Sequence, residues 1–183
     1  AVKSDGSLFQ AWRNVGYGER HLKNNLKAAY DAYEKVLSIN PGDSVALLEF
    51  DQIAERLSVP VNERLKVLQN REESVRANDD LSSRFVDLHL AVGTPESLEQ
   101  VYQILKNHHF HSWEGKYGIH HAWVDVNQKL GDLAFDKTEF DKALHHYQEA
   151  CTYPKNLEVA PRTPDFRAHV YWNLAKVYIA MNK

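Results

Sequence analysis

Histidine is the residue type whose clustering in this sequence could support chemistry. Five of the ten histidines lie within residues 108–121, and they are His108, His109, His111, His120 and His121. Three or four imidazoles that converge at about 2.0–2.1 Å could bind Zn²⁺. However, adjacent histidines on a helix or turn point in different directions, no cysteine lies nearby, and no His-Glu-x-x-His spacing occurs. We therefore predict that the cluster holds no metal.

A second candidate is the loop with the sequence His111-Ser112-Trp113-Glu114-Gly115. Trp113 can bury a large aromatic surface while its indole N–H needs one acceptor. Glu114 can cap the helix that follows or accept a hydrogen bond from an imidazole, and Gly115 permits a sharp turn. Two interpretations stay open. Either the loop clamps two neighbouring structural units together, or His111, Trp113 and Glu114 dock a ligand or another domain.

Other arrangements that support catalysis are not indicated. Acidic residues are numerous, but in a chain with 26% charged residues they fit solvated helix faces. Cys151 falls at a predicted helix end with no neighbouring base in the sequence, and Gly16-Tyr17-Gly18 is too short for a phosphate-binding loop. The prediction is a protein without enzymatic activity and without a cofactor.

Composition narrows the class of protein and its partners. The 183 residues are 43% hydrophobic, which is typical of a globular chain, and the net charge of −3 does not fit a nucleic-acid interface. No apolar run approaches the roughly 18–20 residues that span a bilayer. The single cysteine cannot form an internal disulfide, so we expect a cytoplasmic protein. The chain has no initiating methionine and stops in mid-pattern, so we expect a fragment of a longer protein.

Apolar residues recur with the spacing i, i+3, i+4, i+7 from one end of the chain to the other. The pattern predicts an all-α fold of about eight or nine helices, most of them about 11–18 residues long. The predicted helix stops and starts are Asn40-Pro41-Gly42, Val59-Pro60, Asn78-Asp79-Asp80, Gly93, Thr94-Pro95 and Thr163-Pro164.

One stretch resembles the tetratricopeptide repeat, and its matching residues are Leu130-Gly131, Phe135, Ala143, Tyr147, Ala150 and Pro154. The resemblance implies two antiparallel helices that approach closely through Gly131 and Ala143. On this interpretation Tyr147 fills the space between adjacent helix pairs.

The same plan recurs twice more. The opening segment carries it with one inserted residue, and the last segment carries its first half; the residues are Val15-Gly16, Ala28, Tyr33, Val36 and Pro41, and Tyr171, Leu174-Ala175 and Tyr178. The resemblance implies one domain over residues 1–183, an α–α superhelix of antiparallel pairs. The best repeats cover residues 8–41 and 124–155, with a half repeat at 164–183. An exposed half repeat also favours self-association.

In this family the first helix of each pair lines a concave groove. The resemblance maps the groove onto Arg13, Tyr17, Arg20, Gln128, Asp132, Phe135, Trp172 and Lys176. Mixed charge combined with three aromatic side chains suits a peptide or a partner protein. The functional prediction is therefore a non-catalytic scaffold for protein or peptide binding.

A second resemblance covers roughly residues 61–160. The segments Glu63-Arg64-Leu65, His109–Gly115 and Tyr153–Leu157 are similar to the C-terminal region of certain large bacterial proteins. In those proteins a β-sandwich related to galactose-mutarotase domains precedes the tetratricopeptide repeats, and Ser112 stands where they have proline. This resemblance implies an alternative function, an accessory domain that packs on a carbohydrate-active domain of the same chain and shapes its site.

Overall fold

The computed structural model describes residues 8–111, 118–158 and 168–182, and that part of the chain is helical without any strand. It divides into two compact units, residues 1–88 and 89–183. The helices are α1 (Phe9–Tyr17), α2 (Leu26–Ile39), α3 (Ser44–Arg56), α4 (Val61–Gln69), α5 (Glu72–Arg76), α6 (Asp79–Val92), α7 (Pro95–Asn107), α8 (Gly118–Asp136), α9 (Phe140–Ala150) and α10 (Ala168–Ala180). The predicted all-α class is confirmed. No helix in the described ranges is long and apolar enough to cross a membrane.

Several predicted helix ends lie where the sequence placed them. Thr94 caps α7 by accepting a hydrogen bond from the Ser97 N–H at 3.2 Å, with Pro95 as the first helical residue. Gly93 ends α6 with a φ of +67°, which is the left-handed conformation that favours glycine. Asn78 accepts a hydrogen bond from the Leu81 N–H at 3.0 Å at the start of α6. The predicted start at Thr163-Pro164 lies outside the described residues.

The described residues form ten α-helices, more than the eight or nine predicted, because residues 61–76 divide into two. The apolar stripe there is sparse, and the backbone leaves helical geometry at Arg71, where φ is −135° and ψ is 36°. The five residues of α5 then bury Val75. A weak stripe over sixteen positions therefore made two short helices appear as one.

In the second unit, α8 and α9 form an antiparallel pair. The Trp123 indole Nε1 near the start of α8 donates to the Glu149 carbonyl at the end of α9, at 2.9 Å. At the opposite end of the pair, the rings of Phe135 and Phe140 lie with their centroids 5.6 Å apart. These contacts at the two ends of the pair fix the helix direction that the repeat resemblance implies.

The centre of this pair is a tyrosine ring packed on a glycine. A Cβ atom added to Gly131 would lie 2.4 Å from Cε1 of Tyr147, closer than any side chain can approach. Tyr147 is 1% exposed, and its hydroxyl donates a hydrogen bond of 2.6 Å to Asp132 Oδ1. Burial, followed by the hydrogen bond to Asp132, raises the pKa of Tyr147. The prediction that Tyr147 fills the space between pairs was therefore wrong in one respect, since its ring lies within its own pair.

The first unit repeats this contact in α1 and α2. A Cβ on Gly16 would lie 2.8 Å from the ring of Tyr33. The inserted residue is taken up by a π-helical turn at Gly18–Leu22, which accommodates one more residue per turn than an α-helix. Because the insertion precedes α2, the small residue that corresponds to Ala143 is Ala29, which is fully buried. The repeat pattern in the sequence predicts Ala28 at this position, but Ala28 is only half-buried.

The Gly131 contact can be tested by adding a single methyl group. In Gly131→Ala, overpacking against Tyr147 should cost about 1–3 kcal/mol. The roughly 1 kcal/mol that alanine gains over glycine within a helix offsets part of this cost, so we expect the free energy of unfolding to fall by up to about 2 kcal/mol. The matched control is Gly118→Ala at the start of the same helix, where an added Cβ meets no atom of the described residues within 4 Å. Urea denaturation measures both variants, and equal stabilities would contradict the close approach.

Candidate functional site

Three of the predicted groove residues meet in the second unit. The ammonium Nζ of Lys176 on α10 lies 5.6 Å from the centroid of the Phe135 ring on α8, within cation–π range. Asp132, one turn before Phe135, accepts hydrogen bonds from the Tyr147 hydroxyl and, at 3.4 Å, from Nδ2 of Asn173. Asp132 therefore connects α8, α9 and α10, and it lies one helical turn from Phe135, whose ring contacts the Lys176 ammonium.

Two further predicted groove residues flank this group. Trp172 lies one helical turn before Lys176 on α10 and is 64% exposed. Gln128 lies one turn before Asp132 on α8 and is half-buried. The group therefore combines an exposed indole with one acid and one base.

The three groove residues predicted in the first unit lie in different surroundings. Tyr17 is exposed, and its ring centroid lies 4.5 Å from that of His21. Arg13 pairs with Asp43, with 3.3 Å between Nη1 and Oδ2. The Arg20 side chain is only 14% exposed because it pairs with Glu49 and donates to Gln52 Oε1 at 2.9 Å. Of these three side chains, Tyr17 has the most surface open to a ligand.

A buried ion cluster in the first unit was not found from the sequence. Asp51 on α3 is 1% exposed and accepts two hydrogen bonds from Arg64, at 2.9 Å from Nε and 3.0 Å from Nη2. Arg84 on α6 donates to the second oxygen of Asp51, and its Nη2 also donates to Glu55 at 2.9 Å. The available signal was an acidic residue within the apolar stripe of α3, between Phe50 and Ile53.

The ion cluster is built for packing rather than for catalysis. Both oxygens of Asp51 accept hydrogen bonds from arginine, so neither is available as a base. Partial burial alone would raise the pKa of Glu55, but the hydrogen bond and charge of Arg84 hold that pKa below its usual value. A neighbouring cleft of about 70 Å³, lined in part by Tyr30 and Glu63, is far smaller than the roughly 300–1,000 Å³ of ligand pockets.

The clustered histidines do not converge on one point, and the contacts of His109 and of His120 are with different residues. His109 Nε2 lies 3.1 Å from Glu158 Oε1, while the ring of His111 lies 5.3 Å from that of His109. The ring of His120, buried on α8, lies 4.9 Å from the ring of Tyr153. Within residues 8–111, 118–158 and 168–182, no group of three or more histidine, cysteine and acidic side chains could hold a metal ion.

The segment before the predicted docking loop is held to Asn156, just beyond the end of the best repeat. The Phe110 N–H donates to the Asn156 carbonyl at 2.8 Å, and the Asn156 amide Nδ2 donates to the carbonyls of Leu105 and His108 at 2.8 and 2.7 Å. Phe110 is fully buried. His111 is exposed at the described edge of this clamp, whereas Trp113 and Glu114 lie outside the described residues. The docking role of the loop stays a prediction.

His146 on α9 is placed by a hydrogen-bond chain. The Asn127 amide Nδ2 donates to the Trp123 carbonyl at 3.0 Å, so its Oδ1 is the acceptor that faces His146 Nδ1 at 3.1 Å. This network assigns the proton of the neutral imidazole to Nδ1. Burial, and then the charge of His145, lower the pKa of His146.

Comparison with solved structures supports the fold on which these sites stand. No protein-family model matches the chain. A crystal structure of MamA protein, a tetratricopeptide-type helical protein, aligns with 97% of this chain and 84% of its own at a TM-score of 0.52 and 16% sequence identity. A similarity at this identity concerns the fold alone. The chain thus has an all-α helical-repeat fold similar to that of tetratricopeptide proteins.

The buried ion cluster predicts a large cost for removing its carboxylate. We expect Asp51→Ala to lower the free energy of unfolding by about 3–5 kcal/mol, because Arg64 and Arg84 would lose the buried acceptor they share. Asp31→Ala removes the exposed partner of Lys27, 2.8 Å away, and should leave the denaturation midpoint unchanged. Equal midpoints for the two variants would show that the cluster contributes nothing to stability.

The lowered pKa of His146 predicts a pH-dependent stability. Because the folded pKa is below the unfolded value of about 6.5, the unfolded chain binds more protons between the two values. Stability should therefore fall as the pH decreases from 7 through this window. His146→Asn, which keeps a donor for Asn127, should flatten the pH dependence measured by urea denaturation between pH 7 and 5. His169→Asn, at an exposed position of α10 whose charge is not among the causes of the lowered pKa, is the control, and identical slopes for all three proteins would contradict the assignment.

Proposed function

We propose that the chain is a non-catalytic scaffold that binds a peptide or partner protein through the groove residues of its repeats. The fold similarity supports a protein-interaction role. Among the described residues, the charged groups placed closest together form saturated ion pairs rather than reactive sites. The function favoured by this arrangement is recognition.

The group formed by Asp132, Phe135 and Lys176 carries the proposal. Its members were predicted independently from two repeats, and they are close to one another in the second unit. Trp172 adds an exposed indole on the same helix as Lys176. Interfaces are enriched in aromatic residues at their centres, with charged groups around the rim. This group therefore has the composition of a small recognition surface.

The ligand that fits this surface is an extended peptide with an apolar side chain for Trp172 and charged groups of both signs nearby. Lys176 suits a carboxylate, and Asp132 suits a basic side chain. A partner of this kind agrees with the predicted absence of nucleic-acid and membrane binding. The cytoplasmic location, the single domain over residues 1–183 and the limits of its repeats remain predictions, as does self-association.

Selection from a library followed by substitution tests the groove. Random twelve-residue peptides displayed on phage are selected against the whole chain, and the affinity of each binder is measured by fluorescence anisotropy. We expect Trp172→Ala and Lys176→Ala to weaken binding at least tenfold, which is about 1.4 kcal/mol in binding free energy. Trp172 is exposed and Lys176 is half-buried, so the fold should tolerate these changes.

Gln148→Ala provides the control, because Gln148 is exposed on α9 and outside the groove set. It should change the affinity by no more than about twofold. A library that returns no binder, or binders that are insensitive to both groove substitutions, would overturn the proposed function.

An accessory domain that shapes a carbohydrate-active β-rich neighbour is the second candidate. The clamp at Asn156 favours it, because the Phe110 N–H donates to the Asn156 carbonyl and so joins the two resembling segments His109–Gly115 and Tyr153–Leu157. Such a clamp would hold the docking loop in place against another domain. The complete coding sequence of the parent gene discriminates, because a parent without a β-sandwich domain would eliminate this candidate.

A further inference from the structure

A narrow cleft in the first unit combines an apolar wall with a buried polar base. It encloses about 70 Å³ among α2, α3 and α4. Its apolar lining consists of Phe50, Ala54, Val59, Val67 and Leu68. Asp51 and Arg64 form the buried polar part of the lining and are hydrogen-bonded to each other. Tyr30 is half-buried and Glu63 is exposed, so these two lining residues mark the mouth of the cleft.

The volume of the cleft limits what can enter it. A protein cavity of about 150 Å³ holds benzene, and one water molecule takes up about 30 Å³ of the liquid. The cleft therefore has room for a narrow aliphatic chain or about two water molecules, but not for an aromatic ring. The hydrocarbon lining favours the chain, because a buried water needs roughly two to four polar partners.

The charge at the mouth favours a cation. Glu63 forms no ion pair with any residue that the structure describes. Burial raises the pKa of Tyr30, and the charges of Glu34 and Glu63 raise it further, so both carboxylates lie near its hydroxyl. The ammonium of Lys27 lies 5.3 Å from the centroid of the Tyr30 ring, but Asp31 pairs with it at 2.8 Å. Negative charge is therefore in excess among these groups.

A lysine side chain matches both the shape and the charge of the cleft. Its four-carbon stem can lie along the apolar wall while its compact ammonium stays in water at the mouth, beside Glu63. An uncharged aliphatic side chain would gain nothing from the acidic mouth, and an acidic one would be repelled by it. Arginine fits less well, because its planar head is broader than an ammonium and its hydrocarbon stem is shorter.

We propose that this cleft receives one lysine side chain of a partner protein, with the stem against Val59 and Val67 and the ammonium beside Glu63. The proposal rests on the recognition role proposed above, but it uses none of the groove residues. Because only one side chain enters, the cleft selects a lysine at one position of the partner and leaves most of the affinity to other contacts.

Small analogues of the lysine side chain test the cleft itself. The probes are n-butylammonium, which copies the stem and the charge, and butan-1-ol, which has the same stem without the charge. Each is titrated into the whole chain with ¹³C-labelled methyl groups, and the NMR shifts of the Ala54, Val59 and Val67 methyls are followed. We expect saturable shifts with a Kd for n-butylammonium at or below about 10 mM, which is a modest demand for so small a ligand. Butan-1-ol should bind about three- to fivefold more weakly, the usual upper range for an exposed ion pair.

Matched substitutions locate the binding. Glu63→Gln should abolish the preference for n-butylammonium over butan-1-ol, because the mouth loses its unpaired charge. Glu96→Gln makes the same change at an exposed residue outside the lining and should keep the preference. Val67→Phe should fill the cleft and weaken both ligands at least tenfold, whereas Val61→Phe, at a half-buried position of α4 outside the lining, should change either affinity by no more than about twofold. Thermal midpoints check that each variant is folded, and Glu63→Gln decides the matter alone where Val67→Phe does not fold.

A peptide arm distinguishes a protein side chain from a free amine. An acetylated, amidated five-residue peptide carries a central lysine between serine and glycine residues, and its control carries norleucine, which has the same stem without the charge. We expect the lysine peptide to shift the same methyl groups, to be displaced by n-butylammonium, and to bind at least threefold more tightly than the norleucine peptide.

Three results would overturn the proposal. They are the absence of saturable shifts with n-butylammonium, a preference for the ammonium that Glu63→Gln leaves intact, and binding of n-butylammonium without binding of the lysine peptide. The last result would assign the cleft to a free amine. None of these measurements uses the groove substitutions or the selected peptides, so a failure of the cleft is distinguishable from a failure of the groove.

Discussion

The packing of a tyrosine ring on a glycine is the contact on which both units depend. At Gly131 and Gly16 the ring of the second helix occupies the space of the missing Cβ, which sets the distance between the helices. In the second unit the hydroxyl at the far end of the Tyr147 ring is held by Asp132, and Asp132 also accepts from Asn173 on the next helix. This contact thus sets how closely the two helices of a pair approach each other. Through Asp132 it is also connected to the group of residues proposed for recognition.

This contact is kept even where the spacing along the chain changes. Between Gly16 and Tyr33 there is one residue more than between Gly131 and Tyr147, and the π-helical turn Gly18–Leu22 takes it up. The extra residue widens the turn, so the register of α2 shifts by one, and Ala29 rather than Ala28 is buried. Packing in the interior therefore outweighs the preference of the backbone for regular α-helix, since a π turn costs less than an unpacked tyrosine.

The sequence predicted features that depend on local chemistry. Caps at Asn78 and Thr94 and the left-handed Gly93 follow from side chains that satisfy backbone groups next to them. It could not predict that Ser58 and Thr138 also adopt positive φ, because neither residue prefers that conformation. At both, the next N–H closes the helix end by donating to a carbonyl five residues back, Val59 to Ala54 and Glu139 to Ala134. The cluster at Asp51 was missed for a different reason. Its partners are 13 and 33 residues away, and only the fold brings them together.

The same helix position has three different environments in this chain, and the residues that pack on it differ accordingly. Gly131 and Asp51 each lie seven positions before a residue in the left-handed conformation. Gly131 packs under a tyrosine of its own repeat, whereas Asp51 lies under two arginines. An aromatic residue cannot replace the arginines at Asp51 without leaving a buried carboxylate unpaired, which is strongly unfavourable. Ala175 is exposed and small. The ion cluster therefore adds specificity as well as stability, because it keeps from α3 the packing of an aromatic ring on a small residue that joins α8 and α9.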